Sequence, residues 1–354
     1  MYNKLSLKNF RGFKDFSMEL KPVTLIAGQN NTGKSSILEG LFLLHYYANP
    51  NVFLKLRSFR EEISNFVDIT KLNLTSRNTW ESLFYSMNTE NILEVKSDDK
   101  NFLQLQKDLD YTFYNRNVQI IKGSFDLARN YALACTFEKE DYVFHGGYLI
   151  AENSSIFFDS LDKPVRKNLE HMQYLSSKIV LTDEEVVEDF GKLDLINEKQ
   201  KIIDILKIFG DDITDITTMV IDSRPQLYVT KQNQKLPISI MGDGIRKVLH
   251  IALTLLVNSG CILLIDEVEN GLHYSLFPKL WEIVAKLAIK NNCQVIATTH
   301  SYECIEGAAE GVQDSNLQDY FAFTRLDREE GTIKPKRYTF GSLERSINTG
   351  WEVR

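Results

Sequence analysis

The chain lacks an apolar run of about 18 residues, the length that a membrane-spanning helix requires. Its longest candidate, VLHIALTLLVNSGCILLIDE, is interrupted by His250, Asn258, Ser259 and Gly260. The N-terminal stretch MYNKLSLKNFRGFKDF alternates in polarity and carries charges, which is typical of neither a signal peptide nor a membrane anchor. We therefore expect a cytoplasmic protein that does not have a membrane as its partner.

Cysteine and histidine are scarce and irregularly spaced. The 354 residues include four cysteines without a CxxC pair and six histidines without an HExxH pattern. This spacing does not fit a zinc site or a disulfide scaffold. We expect the cysteines to pack as small buried apolar side chains; they are Cys135, Cys261, Cys293 and Cys304.

An excess of positive charge is also absent. The formal net charge of -7 argues against a uniformly basic nucleic-acid binder, although a local basic groove for nucleic acid stays open. Lysine and arginine occur in two short clusters that we interpret as solvated faces. These clusters are Lys55, Arg57 and Arg60, and Lys334, Lys336 and Arg337.

Strands that alternate with helices dominate what is present. The apolar strand CILLID, a helix at 275–290 and the apolar strand QVIATT indicate a buried parallel sheet of the α/β class. Residues 16–27 are predicted to form one strand, and residues 91–180 several antiparallel strands, including 111–115 and 118–125. No repeat, low-complexity tract or flexible linker divides the chain, so one composite domain is expected.

The stretch LIAGQNNTGKSSILEG fits the phosphate-binding pattern GxxxxGK[ST] and lies between a predicted strand and a predicted helix. Glycines let backbone N–H groups face phosphate oxygens, the lysine reaches the terminal phosphates, and the hydroxyl can bind Mg²⁺. The sequence therefore predicts a P-loop that binds ATP and Mg²⁺. Its candidate residues are Gly28, Asn30, Asn31, Thr32, Gly33, Lys34, Ser35 and Ser36.

Two further strand ends carry polar residues suited to this chemistry. CILLIDEVENGLH places Asp266 and Glu267 after a fully apolar strand, where an acid pair is costly unless it acts on a metal or on water. We assign Asp266 to Mg²⁺ and Glu267 to the attacking water. QVIATTHS places His300 at the carboxyl edge of the sheet, where ligands bind in such folds.

The order of the P-loop, SIMGDGIRK, LLIDEVENGLH and TTHS resembles the ATP-binding-cassette (ABC) class of ATPases. More narrowly, it is similar to the ATPase heads of SMC and RecF-type DNA-repair proteins and of the OLD nucleases, as is the opening LSLKNFRGFKDFSMEL. The resemblance is firmest at 1–45 and 236–310. It implies a P-loop NTPase fold with a parallel core sheet, an antiparallel β subdomain and a helical lobe.

The resemblance also implies roles for individual residues. The signature loop corresponds to Gly242, Asp243 and Gly244, and it would contact the γ-phosphate of ATP bound to a second copy of the chain. This loop departs from the transporter pattern, since Met241 and Asp243 replace a serine and a glycine. Asp243 is expected to point aside or to help order the loop. His273 stands where transporters keep an aspartate, which favours the OLD-like group.

Three more roles follow from the same resemblance. His300 matches the switch histidine that senses the γ-phosphate, and Arg11 in NFRGF matches an arginine that approaches nucleotide phosphates. Gln173 is our choice for the Q-loop glutamine, a ligand of the metal ion.

The chain then divides into a P-loop unit (1–47), an insertion (48–90), an antiparallel β region (91–180), a helical lobe with the signature loop (181–245), a core (246–310) and a C-terminal cap (311–354).

This assignment predicts a homodimer, or a higher oligomer of dimers, that closes around two ATP molecules and hydrolyses them. About 54 residues follow His300, too few for the TOPRIM nuclease domain of OLD proteins, and no sustained heptads occur. We therefore expect an ATPase that controls a separate effector, such as a nuclease or toxin, in anti-phage defence or DNA repair. An ATP-locked scaffold with little turnover, a transporter ATPase subunit and a self-contained nuclease are the alternatives.

Overall fold

The computed structural model describes residues 1–49, 51–60, 62, 74–98, 101–107, 132–139, 142–150, 156–160, 171–177 and 183–354. Its helices are α1 (Lys34–His45), α2 (Val52–Phe59), α3 (Ser76–Thr79), α4 (Asp183–Leu195), α5 (Lys199–Leu206), α6 (Asp243–Val257), α7 (Phe277–Lys290), α8 (Tyr302–Asp314) and α9 (Phe340–Asn348). Its strands are β1 (Lys4–Phe10), β2 (Phe13–Glu19), β3 (Val23–Gly28), β4 (Leu93–Ser97), β5 (Asn101–Lys107), β6 (Ala132–Lys139), β7 (Tyr142–Ile150), β8 (Ile156–Ser160), β9 (Met172–Leu175), β10 (Ile213–Ile221), β11 (Arg224–Lys231), β12 (Gln234–Pro237), β13 (Ile262–Ile265), β14 (Gln294–Thr299), β15 (Phe321–Glu329) and β16 (Thr332–Tyr338).

A six-stranded sheet in the order β16-β15-β3-β14-β13-β9 forms the centre of the fold. The strands from β15 to β9 are parallel, and only the edge strand β16 is antiparallel to its neighbour. Every residue of β3, β13 and β14 is buried, which agrees with the wholly apolar sequence of β13 and the mainly apolar sequence of β3. Successive residues of β3 alternate between two apolar cores, one with α1 and one with α6, α7 and α8.

A seven-stranded antiparallel sheet covers the α1 side of the core sheet. Its order is β2-β1-β4-β5-β6-β7-β8, so the two N-terminal strands pair with the region predicted at 91–180. The helices α4 to α6 and the three-stranded sheet β10-β11-β12 pack around a third apolar core. The predicted class, an α/β P-loop ATPase fold with these three parts, is confirmed.

Several local predictions need correction. The strand predicted at 16–27 is two strands, β2 and β3, which lie in different sheets because Leu20 to Pro22 break the run, and proline donates no ladder hydrogen bond. β9 falls within the region predicted to be antiparallel, yet it pairs in parallel with β13. The strands predicted at 111–115 and 118–125 lie outside the described residues. In the described part of the chain, no helix is both long and apolar enough to span a membrane.

Candidate functional site

The predicted site residues follow strands that end at one edge of the core sheet. β3 ends at Gly28 of the P-loop, β13 ends directly before Asp266, and β14 ends directly before His300. These strands are parallel and adjacent in the order β3-β14-β13, so their carboxyl ends coincide. Residues from the beginning and the end of the chain therefore meet at this edge.

Two P-loop positions require glycine. Gly28 has a φ of 148°, and a Cβ there would lie 2.8 Å from the carbonyl oxygen of Leu326 and from the hydroxyl of Thr32. Gly33 has a φ of 84°, and its Cβ would lie 2.6 Å from the ring of Phe13. The tight turn into α1 therefore depends on both positions lacking a side chain.

The middle of the loop is held by short-range contacts. The Thr32 hydroxyl donates to the carbonyl of Gln29 over 2.8 Å, and Asn31 is left-handed with a φ of 64°. Asn30 is exposed at the loop tip. Arg328, at the end of β15, donates to the carbonyl of Asn31 over 2.8 Å, which ties the loop to the neighbouring strand.

Lys34 lies folded over its own loop. Its ammonium group donates to the carbonyl oxygens of Gly28 at 2.6 Å and Gln29 at 2.9 Å. Burial lowers the pKa of Lys34, and the carboxylates of Asp266 and Glu267 oppose that shift. The cation therefore lies among acidic groups at the loop, where an anionic ligand would offer it a stronger partner than neutral carbonyls do.

Ser35 and Asp266 meet across 231 residues of sequence. The Ser35 hydroxyl donates to Asp266 Oδ1 over 3.0 Å. The same carboxylate oxygen accepts a 2.5 Å hydrogen bond from Thr298 on β14. The buried carboxylate of Asp266 is thus held in place by hydroxyls from α1 and β14 before any ligand arrives.

The oxygen donors at this position suit Mg²⁺. A hydroxyl and a carboxylate are hard ligands, and Mg²⁺ in phosphate-binding sites usually takes one or two carboxylates together with phosphate and water. No cluster of three or more His, Cys, Asp or Glu side chains that could hold a metal ion occurs within the described ranges. Ser35 and Asp266 fit a magnesium ion, whose other ligands would come from a nucleotide and water.

Glu267 has a constrained position beside this pair. Its backbone is left-handed, with a φ of 48°, which is uncommon for a residue with a long side chain. The Glu267 backbone N–H donates to the Thr298 hydroxyl over 2.9 Å, and the side-chain amide of Asn270 donates to Glu267 Oε2 over 2.7 Å. These contacts orient the carboxylate that the sequence assigns to the attacking water.

His300 is paired with Glu269. The backbone N–H of His300 donates to Glu269 Oε1 over 2.7 Å, and the His300 Nδ1 atom lies 2.9 Å from the same oxygen. The His300 side chain is 47% exposed, whereas that of Glu269 is 8% exposed. The buried acid therefore fixes an imidazole that stays accessible to a ligand.

The signature loop packs against the segment that follows the acidic pair. Gly242 has a φ of 90°, and a Cβ on Gly244 would lie 2.4 Å from the carbonyl oxygen of Gly271. Asp243 starts α6, and its side chain is 79% exposed and 3.9 Å from Arg246. The N-terminus of α6 is thus presented at the surface with Asp243 turned to solvent.

The structure does not bring Arg11 to the P-loop. Arg11 Nε donates to Glu39 over 2.9 Å, and Nη1 donates to the carbonyl of Ser82 over 3.1 Å. Glu39 lies fully buried on α1, so it requires a cationic partner. A different arginine, Arg60, reaches the first turn of α1, where its Nη2 donates to Ser36 Oγ over 3.1 Å. The role of Arg11 towards phosphate therefore stays a prediction, with Arg60 as the arginine that contacts α1 nearer to the P-loop.

Gln173 is also placed away from the metal pair. Its Oε1 accepts a 2.7 Å hydrogen bond from the hydroxyl of Thr254 on α6. In β9, Gln173 pairs with Leu263, three residues before Asp266, so it lies in the body of the sheet rather than at its carboxyl edge. The assignment of Gln173 as a metal ligand therefore stays a prediction that these contacts do not support.

Sequence reasoning missed four polar residues that support the site: Thr298, Glu269, Arg60 and Lys247. Lys247 on α6 donates to the carbonyl of Glu267 over 2.7 Å, and burial lowers its pKa to about 8. The available signal was a charge beside an apolar pattern, since Lys247 precedes VLHIALTLL and Glu269 follows the buried strand CILLID closely.

The chain is similar to known ATPases and to a nuclease. The family described as AAA ATPase domain matches residues 1–305. An ATP/GTP phosphatase of Helicobacter pylori is 26% identical over 97% of both chains. The OLD nuclease of Thermus scotoductus is 24% identical over 85% of this chain and 59% of its own length.

A solved structure shares the fold at low identity. The Smc head domain of Pyrococcus furiosus, with an extended coiled coil and bound to the C-terminal domain of ScpA, is 9% identical over 98% of both chains. Its TM-score with this chain is 0.51.

Proposed function

Since the chain belongs to the AAA ATPase domain family and is an SMC/OLD-like ABC ATPase head, we propose that it binds ATP with Mg²⁺, hydrolyses it and dimerises around it. The observation that carries this proposal is the contact between Ser35 and Asp266 beside the carboxylate of Glu267. Together with the P-loop, they would supply a phosphate site, a metal site and a candidate base at one sheet edge.

The residues around the P-loop would act chiefly by positioning and electrostatics. Backbone N–H groups at the start of α1 and the ammonium of Lys34 would bind the β- and γ-phosphates. Ser35 and Asp266 would hold Mg²⁺, which supplies neutralisation of the charge that develops on the phosphate oxygens. Lys34 would exchange two neutral carbonyls for phosphate oxygens, a gain that offsets part of the cost of its burial.

Glu267 would accept the proton of the attacking water. Asn270 occupies Oε2, and among the described residues no hydrogen bond is made to Oε1. That oxygen is free to receive the proton. His300, held by Glu269, would contact the γ-phosphate from the neighbouring strand end.

The second half of each site would come from another copy of the chain. The loop Gly242–Asp243–Gly244 opens α6 and is presented at the surface, which suits it to bind an anion on a partner molecule. Two large apolar side chains flank this region and are exposed: Ile240 by 66% and Tyr274 by 63%. A second copy would cover them when it closes on ATP.

Two substitutions test hydrolysis and closure together. Lys34→Ala should abolish ATP binding, because it removes the buried cation of the P-loop. Glu267→Gln should retain ATP binding, lose turnover and accumulate as a dimer with ATP. The matched control is Glu310→Gln, which changes an exposed acid on α8.

The measurements are ATP affinity, phosphate release and mass by light scattering, with and without ATP and Mg²⁺. A Glu267→Gln protein that hydrolyses ATP normally would contradict the assigned base. A mass that does not change with ATP would contradict closure around nucleotide. Parallel measurements with GTP decide which nucleotide the chain prefers. The name of the Helicobacter pylori relative includes both ATP and GTP.

We further propose that the closed dimer controls a separate effector, such as a nuclease, in anti-phage defence or DNA repair. The support is the similarity to an OLD nuclease and to a head domain bound to a partner protein. Affinity-tagged Glu267→Gln with ATP should capture a partner that Lys34→Ala does not capture. Steady-state turnover with and without DNA separates a regulated ATPase from an ATP-locked scaffold, which would show almost no phosphate release under either condition.

A further inference from the structure

Lys247 joins the helix of the signature loop to the backbone of the catalytic segment. It lies on α6, which begins at Asp243 directly after Gly242. Its ammonium donates to the carbonyl of Glu267 over 2.7 Å, and it lies 3.4 Å from the carbonyl of Asn270. One side chain thus contacts the backbone of both the candidate base and the residue that orients that base.

Glu269 supplies the opposite charge. It is 8% exposed, and its attraction is the largest electrostatic contribution that keeps Lys247 protonated against burial. Its Oε1 contacts both the backbone N–H and the Nδ1 atom of His300, whereas its Oε2 has no hydrogen-bond partner among the residues described. A buried carboxylate in this condition is costly unless a nearby cation compensates it.

We propose that Lys247 and Glu269 act together as positioning residues: Lys247 ties the signature helix to the backbone of Glu267 and Asn270, and Glu269 holds His300 of the same chain. This inference rests on the proposed ATP hydrolysis. In the proposed dimer, the start of α6 contacts ATP on the partner, whereas Glu267 and His300 act on the ATP of their own chain. A shift of α6 on contact with the partner's ATP would therefore move the groups of the neighbouring site through Lys247.

The geometry separates this role from simple packing. The Lys247 contacts go to the carbonyls of the loop that carries the catalytic groups, whereas the ammonium of Lys34 contacts the carbonyls of the P-loop. Loss of the Lys247 ammonium should therefore lower the rate of the chemical step more than it lowers the affinity for ATP.

The decisive experiment measures kcat and KM for phosphate release, ATP affinity and the melting temperature on the full chain. Lys247→Met keeps the length of the side chain and removes its charge, whereas Lys247→Arg keeps the charge. Lys290→Met is the matched control, because Lys290 is exposed at the end of α7. We expect Lys247→Met to lower kcat about tenfold or more, with ATP affinity within about threefold, and Lys247→Arg to recover most of the loss.

Glu269→Gln completes a double-mutant cycle. If the two residues act as one pair, the double variant should lose no more kcat than the more damaging single variant. If the kcat losses of the two single variants multiply fully in the double variant, the two residues do not act together. Normal kcat in Lys247→Met, or equal losses of kcat, ATP affinity and melting temperature in both Lys247 variants, would overturn the positioning role. A wild-type chain without ATP turnover would instead refute the proposed function itself, so the two failures are distinguishable.

Discussion

The Thr298 hydroxyl is expected to stabilise the acidic pair more than any apolar replacement could. It donates to Asp266 Oδ1 over 2.5 Å and accepts from the backbone N–H of Glu267 over 2.9 Å, and Thr298 itself is fully buried. Thr298→Val keeps the shape and removes both contacts. Loss of a hydrogen bond to a charged group costs about 1.5–3 kcal/mol, and an N–H left without a partner costs about 1–3 kcal/mol.

The sum is moderated because Ser35 still donates to the same Asp266 oxygen. We therefore expect Thr298→Val to lower the free energy of unfolding by roughly 2–4 kcal/mol. Thr298→Ser keeps the hydroxyl and loses one buried methyl group, which costs about 1 kcal/mol. The threonine-to-serine variant is thus the matched control, and it should be the more stable of the two.

Urea denaturation of the nucleotide-free chain, followed by tryptophan fluorescence, measures this difference. The valine variant should also release phosphate at least about tenfold more slowly, because a shift in Glu267 or Asp266 misplaces the groups that act on water. A valine variant as stable as the serine variant would refute the reasoning, because burial of an apolar group would then outweigh both hydrogen bonds.

Three other perturbations have expected outcomes. Gly28→Ala should weaken ATP binding at least about tenfold, since its Cβ would lie 2.8 Å from a backbone carbonyl oxygen; isothermal titration measures it. Burial lowers the pKa of His250 from its ordinary 6.5 to about 3, so the unfolded chain binds the extra proton and stability falls as the pH drops below about 6.5. At pH 5 the loss relative to neutral pH should be about 2 kcal/mol, and His250→Leu should lose this pH dependence in urea titrations. Arg60→Met should weaken ATP binding about tenfold through loss of its contact with Ser36, whereas Arg11→Met should lower stability and leave affinity nearly unchanged. Equal effects of the two arginine substitutions on affinity would contradict this division.

The part of the site that sequence could predict depends on strand ends. The apolar runs before Gly28, Asp266 and His300 predict buried parallel strands, and parallel strands bring their carboxyl ends to one edge of the sheet. That rule does not depend on side-chain details. The fold class and the meeting of these motifs therefore follow from the order of residues along the chain.

The positions of Gln173 and Arg11 depend on information that a linear pattern does not contain. Gln173 precedes the end of β9 by two residues, and only the pairing of β9 with β13 reveals that it lies short of the carboxyl edge. The position of Arg11 depends on Glu39, a buried acid on α1 that forms ion pairs with Arg11 and Arg60. Only the three-dimensional packing of these segments places Arg11 against Glu39 and Ser82, and Arg60 against Glu39 and Ser36.

For the cysteines, the sequence predicts burial but not which of them are in contact. All four are free and buried, as their apolar surroundings predict. Yet Cys261 and Cys293, 32 positions apart, precede the paired residues Ile262 and Gln294, and contact with Cys261 lowers the pKa of Cys293 to about 7. Whether a cysteine is buried can be predicted from the local sequence, because the prediction requires only the polarity of its neighbours along the chain. Which residues a cysteine contacts depends on the strand register, because a one-residue shift between β13 and β14 would separate the thiols of Cys261 and Cys293. The same shift would move Thr298 away from Asp266, so the register of these two strands controls both the thiol contact and the acidic pair.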